Sequence, residues 1–181
     1  MKTKELVYVA LCAVIIAICS WISIPTAVPF TLQTFGVYLA ISVLGGKLGT
    51  ISLLIYLGLG AIGLPVFAGF KSGLAALTGP TGGYIVGFLA TSLIMWAFEK
   101  FFGKNKISFI ISAIIGLIAC YALGTVWFMK VFSAANGPIG LTATLGMCVI
   151  PFIIPDLIKL VAAYLIGSKI YNISKVSTAT C

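Results

Sequence analysis

The chain consists of long apolar runs that are separated by short breaks rich in Gly, Pro and Lys. A helix needs about 20 apolar residues to cross a hydrocarbon core of about 30 Å, and several runs approach that length. We expect helices at residues 6–24, 30–44, 50–62, 83–98, 107–129 and 155–170. This pattern predicts an all-α integral membrane protein with about six transmembrane helices, folded as a single transmembrane domain over residues 1–181.

Two segments depart from this regular pattern. The run at 30–44 is short for a span, and the polar residues Thr31, Gln33 and Thr34 at its start could line a cavity. The segment 139–150 is apolar but also short, and two prolines follow it closely. We interpret it as a surface or re-entrant helix, with the first half of a broken last helix as the alternative.

The last run contains an acid and a base. Pro155 suits the first position of a helix, because the N–H that it lacks would have no partner there. Asp156 would then lie in the first turn, where the helix dipole favours an anion, and Lys159 would share its face. A charge inside a membrane segment costs at least about 2.5–3.5 kcal/mol, so the two residues predict a polar ligand site. The alternative is an ion pair that only neutralises itself inside the bundle.

Composition agrees with a membrane protein. Of the 181 residues, 61% are hydrophobic and 8% are charged, whereas soluble domains carry roughly 25% charged residues. The net charge of +8 comes from lysines, which we expect to meet anionic lipid headgroups and not nucleic acid. The five cysteines form no C-x-x-C pair and the sequence has no histidine, so neither a metal site nor a cofactor is expected.

The lysines are distributed unevenly over the two sides of the predicted bundle. One side carries Lys71 and Lys130, and the other carries Lys2, Lys4, Lys47, Lys100, Lys104, Lys106, Lys169 and Lys175. Loop lysines concentrate in the cytoplasm, so both termini are expected there. The glycine-rich loops within 63–84 and the start of the last helix then face outward. Irregular backbone survives at membrane depth only where protein buries it or it lines a cavity, which predicts an outward-facing pocket.

A pocket of this kind would be mostly apolar with a few placed polar groups. The candidate ligand-binding residues are Asp156, Lys159, Tyr84, Thr78, Thr81, Thr31, Gln33, Phe35, Phe67 and Phe70. For the three phenylalanines the alternative is packing between helices. For Thr31 and Gln33 the alternative is capping of a helix.

Catalysis is poorly supported by the sequence. The chain has three carboxylates and only Asp156 is away from a segment end, so no two-carboxylate mechanism is available. The glycine-rich segment 79–83 lacks the Gly-Lys-Ser/Thr ending of a P-loop, and the chain is therefore not expected to hydrolyse ATP. A small membrane enzyme with Lys159 as its base and a stand-alone channel are the alternatives from other classes.

Small residues form two stripes that permit close helix packing. Ala13-x-x-x-Ala17, together with Ala10, lies on the first predicted helix. It would pack either inside this chain or against a partner membrane protein. Gly83-x-x-x-Gly87 predicts a close approach of the fourth helix to a neighbour.

Four motifs in one order resemble a known family. They are Val28-Pro29-Phe30-Thr31-Leu32-Gln33-Thr34-Phe35, Gly63-Leu64-Pro65-Val66-Phe67-Ala68-Gly69-Phe70, Gly79-Pro80-Thr81-Gly82-Gly83-Tyr84 and the late Pro-Asp-x-x-Lys at 155–159. Together they resemble the BioY family, the biotin-binding S components of energy-coupling factor (ECF) transporters. One departure is Lys71-Ser72-Gly73, where relatives tend to have small residues.

The resemblance implies a six-helix fold in the plasma membrane of a prokaryote, with an extracytoplasmic vitamin pocket capped by loops. It also implies a transmembrane coupling protein, the T component, and two ATP-binding-cassette ATPases as partners. In S components an A-x-x-x-A motif on the first helix meets the coupling protein, and Ala13 and Ala17 match that motif. The function that it implies is high-affinity capture of biotin at the outer face, without catalysis by this chain.

Biotin offers two ureido N–H donors, a ureido carbonyl and a carboxylate at the end of its tail. In one assignment Asp156 binds the ureido group and Lys159 the carboxylate. In the other, both bind the ureido ring, while Tyr84 and nearby backbone N–H groups hold the carboxylate. Positions i and i+3 are only about 5–6 Å apart at Cβ and extended biotin is longer, which favours the second assignment. The nearest rival function is an S component for another vitamin.

Overall fold

The computed structural model describes residues 2–26 and 28–179, with side chains as far as Tyr171. The described helices are α1 (Thr3–Trp21), α2 (Gln33–Leu44), α3 (Gly46–Ala61), α4 (Gly73–Thr78), α5 (Gly82–Phe102), α6 (Lys106–Asn136), α7 (Leu141–Cys148) and α8 (Ile150–Ala179). Two short strands, β1 (Ser23–Ile24) and β2 (Phe30–Thr31), pair antiparallel between α1 and α2. A single 3-10 turn, Ala68–Phe70, precedes α4.

Several of the described helices have the lengths of membrane spans. Four stretches in the described part of the chain are long and apolar enough to cross a membrane, namely Thr3–Trp21, Gly82–Phe102, Lys106–Asn136 and Leu141–Tyr171. The helices α2 and α3 are shorter and equally apolar. The predicted all-α membrane fold is therefore confirmed.

The start of the last helix differs from the prediction. α8 begins at Ile150, so Pro155 lies inside it and Asp156 lies beyond its first turn. The proline that belongs to the first turn is Pro151, where a missing N–H costs no hydrogen bond. The helix dipole therefore does not explain the position of Asp156. Only Val149 separates α7 from α8. This arrangement matches the alternative interpretation of residues 139–150, in which they form the first half of a broken last helix.

Glu99 stabilises the turn between α2 and α3 from across the bundle. Gly45 makes this turn with φ of +84°, a conformation that favours glycine. The carboxylate of Glu99, near the end of α5, accepts a hydrogen bond from the N–H of Gly46, the first residue of α3. An anion at the start of a helix accepts a hydrogen bond from a free N–H and also interacts favourably with the positive end of the helix dipole.

The first helix turns its small residues inward. Ala13 is 2% exposed and Ala17 is also buried, and both belong to the apolar core that α1 forms with α2 and α3. This placement favours packing inside the chain over the partner contact that the Ala13-x-x-x-Ala17 stripe suggested. Of the three alanines only Ala10 is exposed. Contact of this stripe with a partner membrane protein stays a prediction.

Helices α5 and α6 approach each other closely through glycines. A Cβ atom added at Gly83 would lie 3.0 Å from the carbonyl oxygen of Leu123, and one at Gly87 would lie 2.8 Å from the sulfur of Cys120. At Gly87 it would also meet the Cys120 backbone, with 3.0 Å to the Cα atom. The close approach predicted from Gly83-x-x-x-Gly87 is therefore confirmed.

We predict that Gly87→Val destabilises the protein by about 1–3 kcal/mol, because the new side chain forces α5 and α6 apart. The matched control is Gly58→Val on α3, where an added Cβ meets nothing within 4 Å. Thermal unfolding of the detergent-solubilised protein measures both. Equal midpoints for the two variants would show that the glycines do not set the α5–α6 distance.

Candidate functional site

A cavity opens at one end of the bundle, where α1, α3 and α6 end and α2, α5 and α8 begin. The space between its walls, including open solvent at the mouth, is about 780 Å³, and the enclosed cavity volume is about 80 Å³. Residues from six helices and three connecting segments line it. They include Pro29, Thr31, Gln33, Phe67, Lys71, Thr81, Tyr84, Phe88, Tyr121, Cys148, Phe152, Asp156 and Lys159.

The acid and base of α8 are paired in the cavity wall. The Nζ atom of Lys159 donates a hydrogen bond to Oδ1 of Asp156 over 2.8 Å and another to the carbonyl oxygen of Thr31 over 2.7 Å. The hydroxyl of Tyr121, on α6, donates to the other carboxylate oxygen of Asp156 over 2.7 Å. Both carboxylate oxygens therefore have partners, and three separate parts of the chain contribute to the arrangement.

Burial makes this pairing necessary. Asp156 is 4% exposed and Lys159 is 9% exposed. A buried ion pair is tolerated when the two charges neutralise each other and further hydrogen bonds satisfy the remaining polar atoms. The ammonium of Lys159 also lies 4.1 Å from the ring centre of Phe30, which stacks on Phe152. The pair is thus enclosed by aromatic rings on one side and opens to the cavity on the other.

Gln33 has an unused donor in the cavity wall. Gln33 is 4% exposed, and its Nε2 atom has no hydrogen-bond partner among the described residues. Buried polar groups in proteins are nearly always paired, so a donor that lines a cavity without a protein partner is placed to bind a ligand. The place of Gln33 in the cavity wall fits the predicted site. The hydroxyl of Thr31 accepts a hydrogen bond from the N–H of Gln33 over 3.3 Å at the start of α2, which is the capping contact given as the alternative for Thr31.

Tyr84 and Thr81 lie together where α5 begins. The ring of Tyr84 is buried against Gly124 of α6, and its hydroxyl lies 3.5 Å from the carbonyl oxygen of Cys148, at the limit of a hydrogen bond. Thr81 is half-buried and lines the same cavity. Both residues are thus placed where a ligand can reach them.

Three of the predicted site residues do not line the cavity. Phe70 is 63% exposed and stacks on Trp21 outside the bundle, with ring centres 5.2 Å apart. Phe35 packs against the apolar core, as the alternative for the phenylalanines stated. Thr78 is exposed, and its hydroxyl donates to the carbonyl oxygen of Leu74 within α4. Phe67, in contrast, lines the cavity and packs edge-on against Tyr56.

Sequence reasoning missed several residues of the site, including Tyr121, Phe88 and Lys71. Tyr121 lies in the middle of a long apolar run, and Phe30 and Phe152 resemble ordinary membrane residues. The signal that could have found Tyr121 is its phenolic hydroxyl, which needs a partner inside a span. Lys71, one of only two lysines expected on that side, could have been found from its isolation.

The fold and the cavity define a class, a multi-pass membrane protein with a pocket of apolar and polar side chains at one end of its helical bundle. The chain belongs to the BioY family, whose model matches residues 1–175. The family consists of transport subunits and not enzymes, which removes the alternative with Lys159 as a catalytic base.

Named relatives and a solved structure agree with this assignment. The probable biotin transporter BioY of Pyrococcus horikoshii is 39% identical over 171 residues, 94% of this chain and 98% of the relative. The biotin transporter BioY of Thermotoga maritima is 39% identical, with 92% of this chain and 95% of the relative covered. A crystal structure of the S component for biotin from an ECF-type ABC transporter superposes with a TM-score of 0.82 and 31% identity over 95% of both chains.

The pairing of Asp156 and Lys159 predicts a pattern of stabilities. Lys159→Met alone should destabilise the ligand-free protein by about 3–5 kcal/mol, because it leaves a buried carboxylate without its counter-charge. Asp156→Asn combined with Lys159→Met removes both charges and should recover much of the loss.

Thermal unfolding midpoints in detergent measure these effects, with the exposed Lys100→Met as the matched control. A double variant as unstable as Lys159→Met would show that the two charges do not depend on each other.

Proposed function

We propose that the chain is the biotin-binding subunit of an ECF-type uptake transporter and that the described cavity holds biotin. The observation that carries the proposal is the buried Asp156–Lys159 pair, which faces a largely apolar cavity. Beside it lies the Nε2 atom of Gln33, which no other described residue pairs by a hydrogen bond. The names of the relatives and the solved biotin S component support biotin as the ligand.

The ureido ring of biotin matches the polar groups of the cavity. A carboxylate accepts hydrogen bonds from ureido N–H groups, and an ammonium donates to the ureido carbonyl. Asp156 and Lys159 are in direct contact, so a single small ring can meet both. This contact supports the assignment in which both residues bind the ureido group. On binding, ureido contacts would replace part of the hydrogen bonding that the pair now makes with Tyr121 and Thr31.

The apolar parts of biotin match the rest of the lining. Phe67 and Phe88 offer flat apolar surfaces, and Tyr84 adds an aromatic ring with a polar end. A thioether ring and a four-carbon chain gain free energy when such surfaces remove them from water, at about 25 cal/mol per Å². The Nε2 atom of Gln33 supplies a further donor for a ligand oxygen.

The cavity would face the outside of the cell. It lies at the end of the bundle that carries Lys71 and Lys130, whereas eight lysines belong to the opposite end. The distribution of lysines supports a plasma-membrane protein with both termini in the cytoplasm. A chain in this orientation captures biotin outside and releases it inside.

Inward delivery would depend on partners, because the chain has no P-loop of its own. We assign the energy coupling to a transmembrane coupling protein and two ATP-binding-cassette ATPases, by analogy with the ECF-type transporter of the structural relative.

Uptake of biotin into proteoliposomes tests this dependence, with one set containing the chain alone and another containing the chain with these partners. ATP-dependent uptake of biotin only with the partners is expected, and equal uptake by the chain alone would contradict it.

Equilibrium binding tests the ligand and the site together. We expect the detergent-solubilised protein to bind biotin and Asp156→Asn or Lys159→Ala to weaken binding about 10- to 100-fold, since hydrogen bonds to charged groups contribute about 1.5–3 kcal/mol. Lys159→Glu should weaken biotin and biotinamide alike, because both share the ureido ring.

The control for these titrations is Lys100→Ala, at the opposite end of the bundle, which should leave binding unchanged. Undiminished biotin binding by Asp156→Asn and Lys159→Ala would place the ligand elsewhere. Loss of biotin binding alone, with biotinamide retained, would assign the carboxylate to Lys159.

A further inference from the structure

The mouth of the cavity carries an uncompensated positive charge. Among the described residues that line the cavity, the charged ones are Lys71, Asp156 and Lys159. Asp156 and Lys159 neutralise each other, and Tyr121 takes the second oxygen of the carboxylate. The other two acids of the sequence, Glu5 and Glu99, belong to the far end of the bundle. No acidic side chain is therefore left to pair with Lys71.

Lys71 is held at the mouth by a folded loop. It is exposed and yet lines the cavity. Gly69 and Phe70 both adopt positive φ, +67° and +58°, and reverse the chain so that the N–H of Phe67 donates to the carbonyl oxygen of Lys71 over 3.1 Å. Positive φ is uncommon for a residue such as Phe70, so the surrounding structure must hold this turn in place.

Two aromatic side chains anchor the turn on opposite sides. Phe67 is buried in the bundle against Tyr56. Phe70 stacks on Trp21, and the indole N–H of Trp21 donates to the carbonyl oxygen of Pro65 over 2.8 Å. The backbone of Lys71 is thus fixed relative to the cavity, and only its flexible side chain has to move to contact a ligand.

We propose that Lys71 forms an anionic subsite at the cavity mouth and binds the carboxylate at the far end of the ligand. The inference rests on the proposed function and deepens it. With the ureido ring at Asp156 and Lys159, the valerate tail points from the buried pair towards the opening, where Lys71 lies. This assigns the carboxylate to Lys71 and not to Tyr84, whose hydroxyl is directed at the carbonyl oxygen of Cys148.

The two ends of the ligand are then recognised in different dielectric environments. The ureido end is buried, where hydrogen bonds to charged groups are strong and salt has little effect. The carboxylate end is exposed, where an ion pair contributes little and is screened by salt. Lys71 therefore adds selectivity for an anionic ligand and faster capture more than it adds affinity.

Isothermal titration of the full-length, detergent-solubilised chain with biotin and with neutral biotinamide tests the proposal. At low salt, Lys71→Gln should weaken biotin about two- to fivefold, in keeping with an exposed ion pair, and Lys71→Glu should weaken it further. Biotinamide should bind both variants as it binds the unchanged chain, which also shows that the variants are folded. The difference for biotin should shrink at high salt.

Lys130→Gln is the matched control, since Lys130 is exposed at the same end of the bundle and does not line the cavity. It should leave both ligands unaffected. If Lys71→Glu binds biotin as tightly as the unchanged chain, or loses biotin and biotinamide equally, the assignment of Lys71 is wrong while the proposed function stands. If the unchanged chain binds neither ligand, the proposed function fails, and the inference fails with it.

Discussion

A lysine ammonium that is buried in an apolar helical bundle requires a counter-charge, and the site of this protein is organised by that requirement. Lys159 obtains its counter-charge from Asp156 and donates a second hydrogen bond to the carbonyl oxygen of Thr31, and the second oxygen of Asp156 accepts from Tyr121. These contacts join α8 to α6 and to strand β2. These side chains stabilise the bundle when no ligand is bound, and they present both a donor and an acceptor to a ligand.

The rest of the fold keeps a cavity open beside this pair. Glycines on α5 allow close packing against α6 beside the cavity, where Gly87 meets Cys120 of the cavity wall. At the mouth, the turn at Phe67–Lys71 is fixed by aromatic contacts on both of its sides. An open pocket in a membrane protein needs such support, because irregular backbone at membrane depth has to be buried or to line a cavity.

The helices, the glycine contact and the Asp156–Lys159 pair could be predicted from the sequence, because apolar length, small-residue spacing and isolated charges have few structural solutions. The start of α8 could not, since Pro155 fits a first turn but Pro151 occupies it. The position of Phe70 could not be predicted for a different reason. An aromatic residue in a loop can pack on either side of that loop, and only the positive φ at Gly69 and Phe70 directs this one outward. Tyr121 was missed because its hydroxyl finds Asp156 only once α6 and α8 are packed.

The most direct measurement is an experimental structure of the complex with biotin. It should show a ureido nitrogen within about 3.2 Å of an oxygen of Asp156 and the ureido oxygen within the same distance of Nζ of Lys159. The Asp156–Lys159 pair should remain on the cavity wall, with the bicyclic ring between it and the aromatic residues. A complex in which biotin lies outside this cavity, or in which its ureido group touches neither residue, would contradict the central role of the pair.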